Sequence, residues 1–495
     1  MCGVLAASFA SLHAQSRVQL NAPTPQLLGP SINQSVIPSG QSSVDTVNTS
    51  VQVSGPFASS ILAPDANGAP LLLTIDDAIR RGLKYNLGAI AASVKRRSAE
   101  ASVLGSWSGV LPSVSGSISE NLNKVDLAAE GFDASSLPSI GQYFPSTIGP
   151  YHYYSAQAQV SQNPFDLVAV HNLMAARESA HAADFDQRDV REQIVLAVAA
   201  AYLQVLAQNA RVAAAESEVK YAQAIYDQAA QQKAAGAKST IDVNRSRVQL
   251  QARQEQLLAQ LGAAEKQKMI LARIIGLSID REIELSESLQ ADAPLLPPLD
   301  SLYGKAMSRN DVKASEADLR SAENTRRAAT AERLPSIRLN GFFGEQGSNL
   351  HGGSTVYSGS VTLNVPIFTG GQIRSDVQQA DAAIQQRQAA LSAKQEDVRF
   401  EVRSAWIDED TASKQFSVAA SNRDLADETL RQSIDRFQVG AADSVEVAQS
   451  QDQLSAANQD YIDSLYSLRL AQINLARAMG TGEKDVPAIL KGVHP

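Results

Sequence analysis

Two octapeptides, Gly-Ala-Lys-Ser-Thr-Ile-Asp-Val at 236–243 and Gly-Ala-Ala-Asp-Ser-Val-Glu-Val at 440–447, stand 204 residues apart in a chain of 495. Their surroundings repeat at the same offset: Ala201-Tyr202 answers to Ala405-Trp406, and Gly276 to Gly480. Between these ends Val243, Leu250, Leu257, Ala264 and Leu271 are spaced by seven, and so are Val447, Leu454, Tyr461, Leu468 and Leu475. A seven-residue period keeps one seam of a helix against a partner, so each copy holds a long coiled-coil-like helix. Upstream the offset becomes about 223, with Asn86 matching Asn310 and Leu111-Pro112-Ser113 matching Leu334-Pro335-Ser336. One loop insertion in the first copy accounts for the change. The chain is a tandem duplication, and whatever it folds into it must build twice.

The materials suit a long, thin molecule. Aromatic residues make up 5% of the chain, and Ala and Ser are its commonest residues, which favours closely approached helices over thick cores. A net charge of −9 gives no basic face for a nucleic-acid partner. No run of about 18 apolar residues is found, so no transmembrane helix is expected. Cys2 is the sole cysteine, which leaves neither a disulfide framework nor a Cys-containing metal motif; it is read as incidental. The first 15 residues resemble the back half of a secretory signal, with cleavage near Ala14 or Gln15 but no positive n-region. Residues 16–70, rich in Ser, Pro and Gln, read as a disordered linker.

The first repeat is expected over 71–276 as helix, β-hairpin, long helix, helix. Thr74 is the N-cap of a helix running to about 110, where Leu111-Pro112 stops it. A second helix follows Asp166 and continues to about 235 along the seam Val198, Val205, Val212, Val219 and Tyr226, roughly 100 Å of helix. A third runs from about 240 to Gly276. The first and third stacked end to end match the second as an antiparallel partner. Gly236 and Gly440 fit the left-handed position that ends a helix. Ser239 with Asp242, and Asp443 with Glu446, read as capping boxes. Residues 277–299 form an inter-repeat segment, 300–480 the second repeat and 481–495 a tail.

Between the Leu-Pro and the long helix the period changes to two. Residues 357–365 alternate, with Tyr357, Gly359, Val361, Leu363 and Val365 on one face and Ser358, Ser360, Thr362 and Asn364 on the other; residues 154–162 do the same, and 113–122 and 336–343 more loosely. Such alternation marks a transmembrane β-strand, and equally a half-buried strand of a soluble sandwich. Two strands per repeat give four per chain, too few to close a barrel, and lipid tolerates no open edge. A membrane reading therefore demands oligomers, with two chains supplying eight strands or three supplying 12.

Together these features resemble the TolC-like outer-membrane efflux protein family over about 71 to 480. The duplicated strand hairpin and helix hairpin carry the likeness, with the Leu-Pro before a strand in both copies and the segment 365–380. There Pro366, Phe368, Gly370 and Gly371 match the family's strand-to-helix swivel: Pro366 breaks the ladder, Phe368 packs and the glycines admit the bend. The first copy keeps Pro164 and Phe165 without the paired glycines. The resemblance implies a mainly helical homotrimer with a 12-stranded outer-membrane β-barrel, surrounded by lipid and continued by a long α-helical coiled-coil barrel across the periplasm of a Gram-negative cell. It implies a passive exit duct for efflux or type I secretion, without catalytic residue, metal or cofactor. An inner-membrane RND-type or ABC-type pump and its periplasmic adaptor would open the duct at the hairpin tips, here Gly236, Ala237, Lys238, Ser239, Gly440, Ala441, Ala442 and Ser444. By the same resemblance the pore acids fall at Glu446 and Gln449, with Asp242 on the first tip and Asp443 beside them. Gln449 replaces an acid, and Phe437 and Ala442 replace the family's Tyr and Arg. Glu446 is thus either a helix cap or a gate.

Other classes leave weaker traces. The six histidines are scattered and no nucleophile elbow, phosphate loop or HExxH occurs. A soluble coiled-coil adaptor would carry one helical hairpin among β-rich modules, whereas two matched hairpins and paired amphipathic strands stand here.

Overall fold

The Thr74 hydroxyl accepts a hydrogen bond from Asp77 N at 3.2 Å, and α1 (Ile75–Tyr85) follows from that cap. The structure, a computed structural model, describes residues 55–64, 70–127, 129, 145–236, 238–290, 296–348, 352–439, 441–442 and 444–492. The expected signal remnant, most of the 16–70 linker, and Ala237, Gly440 and Asp443 lie outside these. Two expectations are corrected at once. The end of the linker is ordered: Gly55–Ala58 form a 3-10 turn that buries Phe57 beside Gly88. The helix expected to reach 110 is broken at Asn86, whose backbone is extended. Its buried side chain donates to Phe57 O at 2.8 Å and accepts from Gly88 N at 2.9 Å, which caps α2 (Leu87–Trp107).

Beyond Leu111-Pro112 come β2 (Ser113–Asp126) and β3 (Thr147–Phe165), then α3 (Leu167–Ala234) and α4 (Thr240–Ile275). The second copy follows β4 (Ile283–Leu285) with α5 (Leu299–Ala306), α6 (Asn310–Ala331), β5 (Ser336–Gly347), β6 (Ser354–Asn364), α7 (Gln372–Gln438), α8 (Ser444–Ala478) and α9 (Gly482–Lys491). At 68 residues α3 is about 100 Å long. It packs on α2 and α6 along one half and on α4 and α8 along the other, while α7 packs on α6 and then α8. Neighbouring helices therefore run α2, α3, α6, α7 near the sheet and α4, α3, α8, α7 towards the tips.

The seam of α3 departs from the expected valines in its lower half. Val198 and Val205 are buried, but farther down Ala215, Ala222 and Ala229 take the buried positions and Val212, Val219 and Tyr226 are only half-buried. Alanine at seven-residue spacing lets two helices flank α3 closely. No transmembrane helix was expected, yet α3 contains a segment long and apolar enough to span a bilayer, most of it buried in the protein. Alanine-rich packing produces that composition without a membrane.

The largest core sits where the copies join. There β1 (Leu71–Leu73) pairs in parallel with β4, and the Tyr202 hydroxyl donates to Leu73 O at 3.0 Å and contacts Glu287. Ile194, Val198, Leu271, Ile275, Ile473 and Leu490 close over this junction.

The four long strands form one antiparallel sheet in the order β2-β3-β5-β6. Its registers put Val114, Ile118, Ala158, Val160, Leu339, Phe343, Val361 and Leu363 on one face, and Ser117, Ser155, Gln159, Asn340, Ser360 and Asn364 on the other. Both faces are open within the single chain: Ile118 is 79% exposed on the apolar face, and of the polar-face residues just named only Ser155, 4% exposed, is buried. Towards its far rim the apolar face carries a polar pair, His152 Nδ1 and Glu120 Oε1, 2.9 Å apart.

Candidate gate at the hairpin tips

The first tip is a capped turn. α3 ends at Ala235, Gly236 takes φ +77° with nothing near its missing Cβ, and Ser239 starts α4 with a complete capping box. Asp242 N donates to Ser239 Oγ (3.3 Å), and Ser239 N and Oγ both donate to Asp242 Oδ2 (3.2 and 2.8 Å). The Ser239 hydrogen bonds hold the Asp242 carboxyl below its ordinary range. Asp242 is therefore engaged as a cap and meets neither Glu446 nor the second tip in any described contact.

At the second tip Ala441 N donates to Arg436 O at 2.8 Å as α7 ends. Glu446, in the first turn of α8, forms an ion pair with Arg436 Nη1 at 2.9 Å. The acid that the sequence left as either a helix cap or a gate thus has a cation on its own hairpin. Gln449 is exposed and lines a cleft of about 520 Å³ with Ile225, Ile241, Val248, Val445 and Val447. α3 supplies its floor, and α4 and α8 its walls.

The two tips meet through Lys238, whose Nζ lies 4.1 Å from the centroid of the Phe437 ring. Phe437 is 5% exposed and packs with Leu430 and Val447, against which Ile225, Ile434 and Ala442 also rest. A ring face attracts an ammonium through its quadrupole, worth about 0.5–1 kcal/mol where the ammonium keeps part of its water. Phe437 and Ala442, noted in the sequence as losses from a polar lock, are the residues that seal this contact. Farther up, Arg253 of α4 reaches Glu218 of α3 at 3.4 Å and pairs with Asp452 of α8. Arg211 of α3 pairs with Asp463 of α8. Sequence reasoning missed both bridges, because their partners lie some 200 or more residues away at no common offset.

At the swivel, β6 ends at Asn364, so the ladder stops two residues before Pro366. Gly370 and Gly371 take φ +62° and +93°, and Gly371 is the N-cap of α7. In the first copy Pro164 sits at an irregularity inside β3, between paired Gln162 and Phe165. Phe368, expected to pack, is 88% exposed within the chain, because it follows β6, which has β5 on one side and no neighbour on the other. Among the described residues no group of three His, Cys, Asp or Glu side chains is arranged to hold a metal.

Comparison with known proteins adds a family. Residues 84–277 and 302–481 match the family described as outer membrane efflux protein. The pyoverdine export outer membrane protein OpmQ of Pseudomonas putida is 25% identical over 429 residues, 83% of this chain and 86% of that protein. The outer membrane protein TolC of Vibrio cholerae is 25% identical over 421 residues, 82% and 90% of the two. Among solved structures, the outer membrane protein VceC of Vibrio cholerae superposes with a TM-score of 0.66 at 18% identity, covering 82% of this chain and 96% of that one. The CmeC outer membrane channel of Campylobacter jejuni does so with 0.66 at 17%, covering 85% and 89%.

Proposed function

Because the chain belongs to the outer membrane efflux protein family, whose place is the outer membrane, we propose that it is the passive exit duct of a tripartite efflux system. Three copies close a 12-stranded barrel in the lipid, and their helices close a tunnel across the periplasm. The chain works as two repeats, 71–276 and 300–480, joined at the equatorial segment 277–299. A periplasmic adaptor and an inner-membrane pump of RND or ABC type dock at the tips, and small molecules are the cargo. The swivel at Pro164, Phe165, Pro366, Phe368, Gly370 and Gly371 turns each strand into its long helix.

One observation carries this reading: the free edges of the molecule are continuous. β2 and β6 are the unpaired edges of the sheet, and below them α2 then α4 form one edge of the helical layer and α7 the other. An open sheet edge cannot stand in lipid, and four strands cannot close alone. The exposed apolar residues Leu258 on α4, and Phe400, Ile407, Val418 and Leu425 on α7, give both edges something to bury against a copy. Light scattering of the detergent-extracted protein should return three times the 52.7 kDa chain mass; a folded, stable monomer would defeat the reading.

At the tips, Glu446, Gln449, Asp443 and Asp242 are the polar groups we assign to the narrow mouth. Three-fold closure would repeat the Arg436–Glu446 pair as a ring of near-neutral dipoles rather than a ring of bare acids. The Lys238–Phe437 contact is the latch that holds each second hairpin to the first. Gly236, Ala237, Ser239, Gly440, Ala441, Ala442 and Ser444 form the surface offered to the adaptor.

A further inference from the structure

The junction of sheet and long helix differs between the two copies in one side chain's surroundings. Residues 154–162 and 357–365 align without a gap at an offset of 203, which places Phe368 where the first copy has Phe165. Phe165 closes β3 and stands opposite Ile337 of β5. Phe368 lies just beyond β6, and both it and Ile367, 94% exposed, project into open space. β3 has β5 beside it, whereas β6 is an edge.

We propose that Phe368 is a wedge between copies of this chain, seated on Val114 of the next copy where β6 meets that copy's β2. The inference rests on the closed-ring reading above and deepens it by fixing the register of the seam. A ring built from a duplicated unit uses the same seam twice, once within the chain as β3–β5 and once between chains as β6–β2. The offset of about 223 that carries Leu334-Pro335-Ser336 onto Leu111-Pro112-Ser113 carries Ile337 onto Val114. The offset of 203 carries Phe165 onto Phe368. The Phe165–Ile337 pairing thus becomes Phe368–Val114, an aromatic on a β-branched residue in both cases. The remaining register is consistent: Val160–Gly341 maps to Leu363–Ile118 on the apolar face, and Ser161–Asn340 to Asn364–Ser117 on the polar face. β6 and β2 also run in opposite directions, as β3 and β5 do. Val114 is 72% exposed on the free edge that would receive the ring.

Cysteine pairing tests this in the full chain with Cys2→Ser as background. The edges of one four-stranded sheet lie about 14 Å apart, beyond the reach of a disulfide, so a bond between them joins two chains. Phe368→Cys with Val114→Cys, oxidised in detergent, should run as a covalent trimer on a non-reducing gel. The control pair Phe368→Cys with Ile118→Cys, about 13 Å farther up the strand, should bond at least about tenfold less. Equal bonding in the control, or no bond at 114/368 while light scattering still gives three chain masses, overturns the wedge and leaves the trimer standing. A monomeric mass would instead remove the ring on which the wedge depends.

Discussion

Lys238 and Phe437 belong to different copies of the duplicated unit, and their contact is the point where the ends of the two hairpins touch. Lys238→Gln removes the charge and keeps a helix-compatible side chain. It should raise the open probability of single channels in planar bilayers about 2- to 5-fold, the equivalent of about 0.5–1 kcal/mol. Unchanged gating would show that the apolar packing around Phe437 holds the tips alone. A second residue breaks the repeat's own pattern: Glu409 of α7 stands where the first copy has the buried Val205, and it too is buried. Burial pushes its carboxyl up from 4.5 to about 7. Between those values the folded chain keeps the proton while the unfolded chain has lost it, so stability falls as pH rises through that window. Glu409→Gln should therefore match the parent protein near pH 4 and exceed it above pH 7, by an amount on the order of 3 kcal/mol. Denaturant melts of both proteins at several pH values measure this, and a difference that does not change with pH would mean the carboxyl is not ionised against burial.

The long helices begin by different means. Asp166 caps α3 by accepting from Ala169 N at 3.1 Å, whereas α7 starts from a left-handed Gly371 without a side-chain cap. Nothing lies within 4 Å of a Cβ placed at Gly371, so Gly371→Ala tests backbone strain and no clash. It should cost about 1–2 kcal/mol, read as an earlier loss of the helical signal on denaturation. A neutral result would show that the loop relaxes to another entry into α7. The two swivels therefore differ in construction: the first is fixed by a side-chain cap, the second by glycine backbone.

Across the whole molecule, ion pairs tie the helices of one chain together at several levels. Near the sheet Lys95–Asp186 (2.6 Å) joins α2 to α3, Arg320–Glu178 (2.8 Å) joins α3 to α6, and Arg387–Asp318 (3.2 Å) joins α6 to α7. Towards the tips the bridges at Arg211 and Arg253 join the first hairpin to α8 alone. Among the described contacts α7 is bound there through α8, and to the first hairpin through the Lys238–Phe437 contact and the packing of Ile225. α7 has no described ion pair to the first hairpin there, and it is also the edge that faces the next copy in the proposed closed ring. The trimer mass and the register of the Phe368 seam test this arrangement at its two ends.

Periodicity made most of the elements readable in the chain itself. Seven-residue spacing marked α3, α4 and α8, alternation marked the four strands, and Ser239-Asp242 marked a capping box, because each depends on residues close in sequence. The tandem offset made the second copy as legible as the first. Tertiary structure decided the rest. It broke the first helix at Asn86, whose partners Phe57 and Ile274 lie 29 and 188 residues away. It shifted the seam of α3 onto alanines, paired Glu446 with Arg436, and turned Phe437 from a missing lock residue into a buried one. Local pattern fixes which face of an element is apolar, but which neighbour covers that face depends on contacts between distant segments, and those have no period to read.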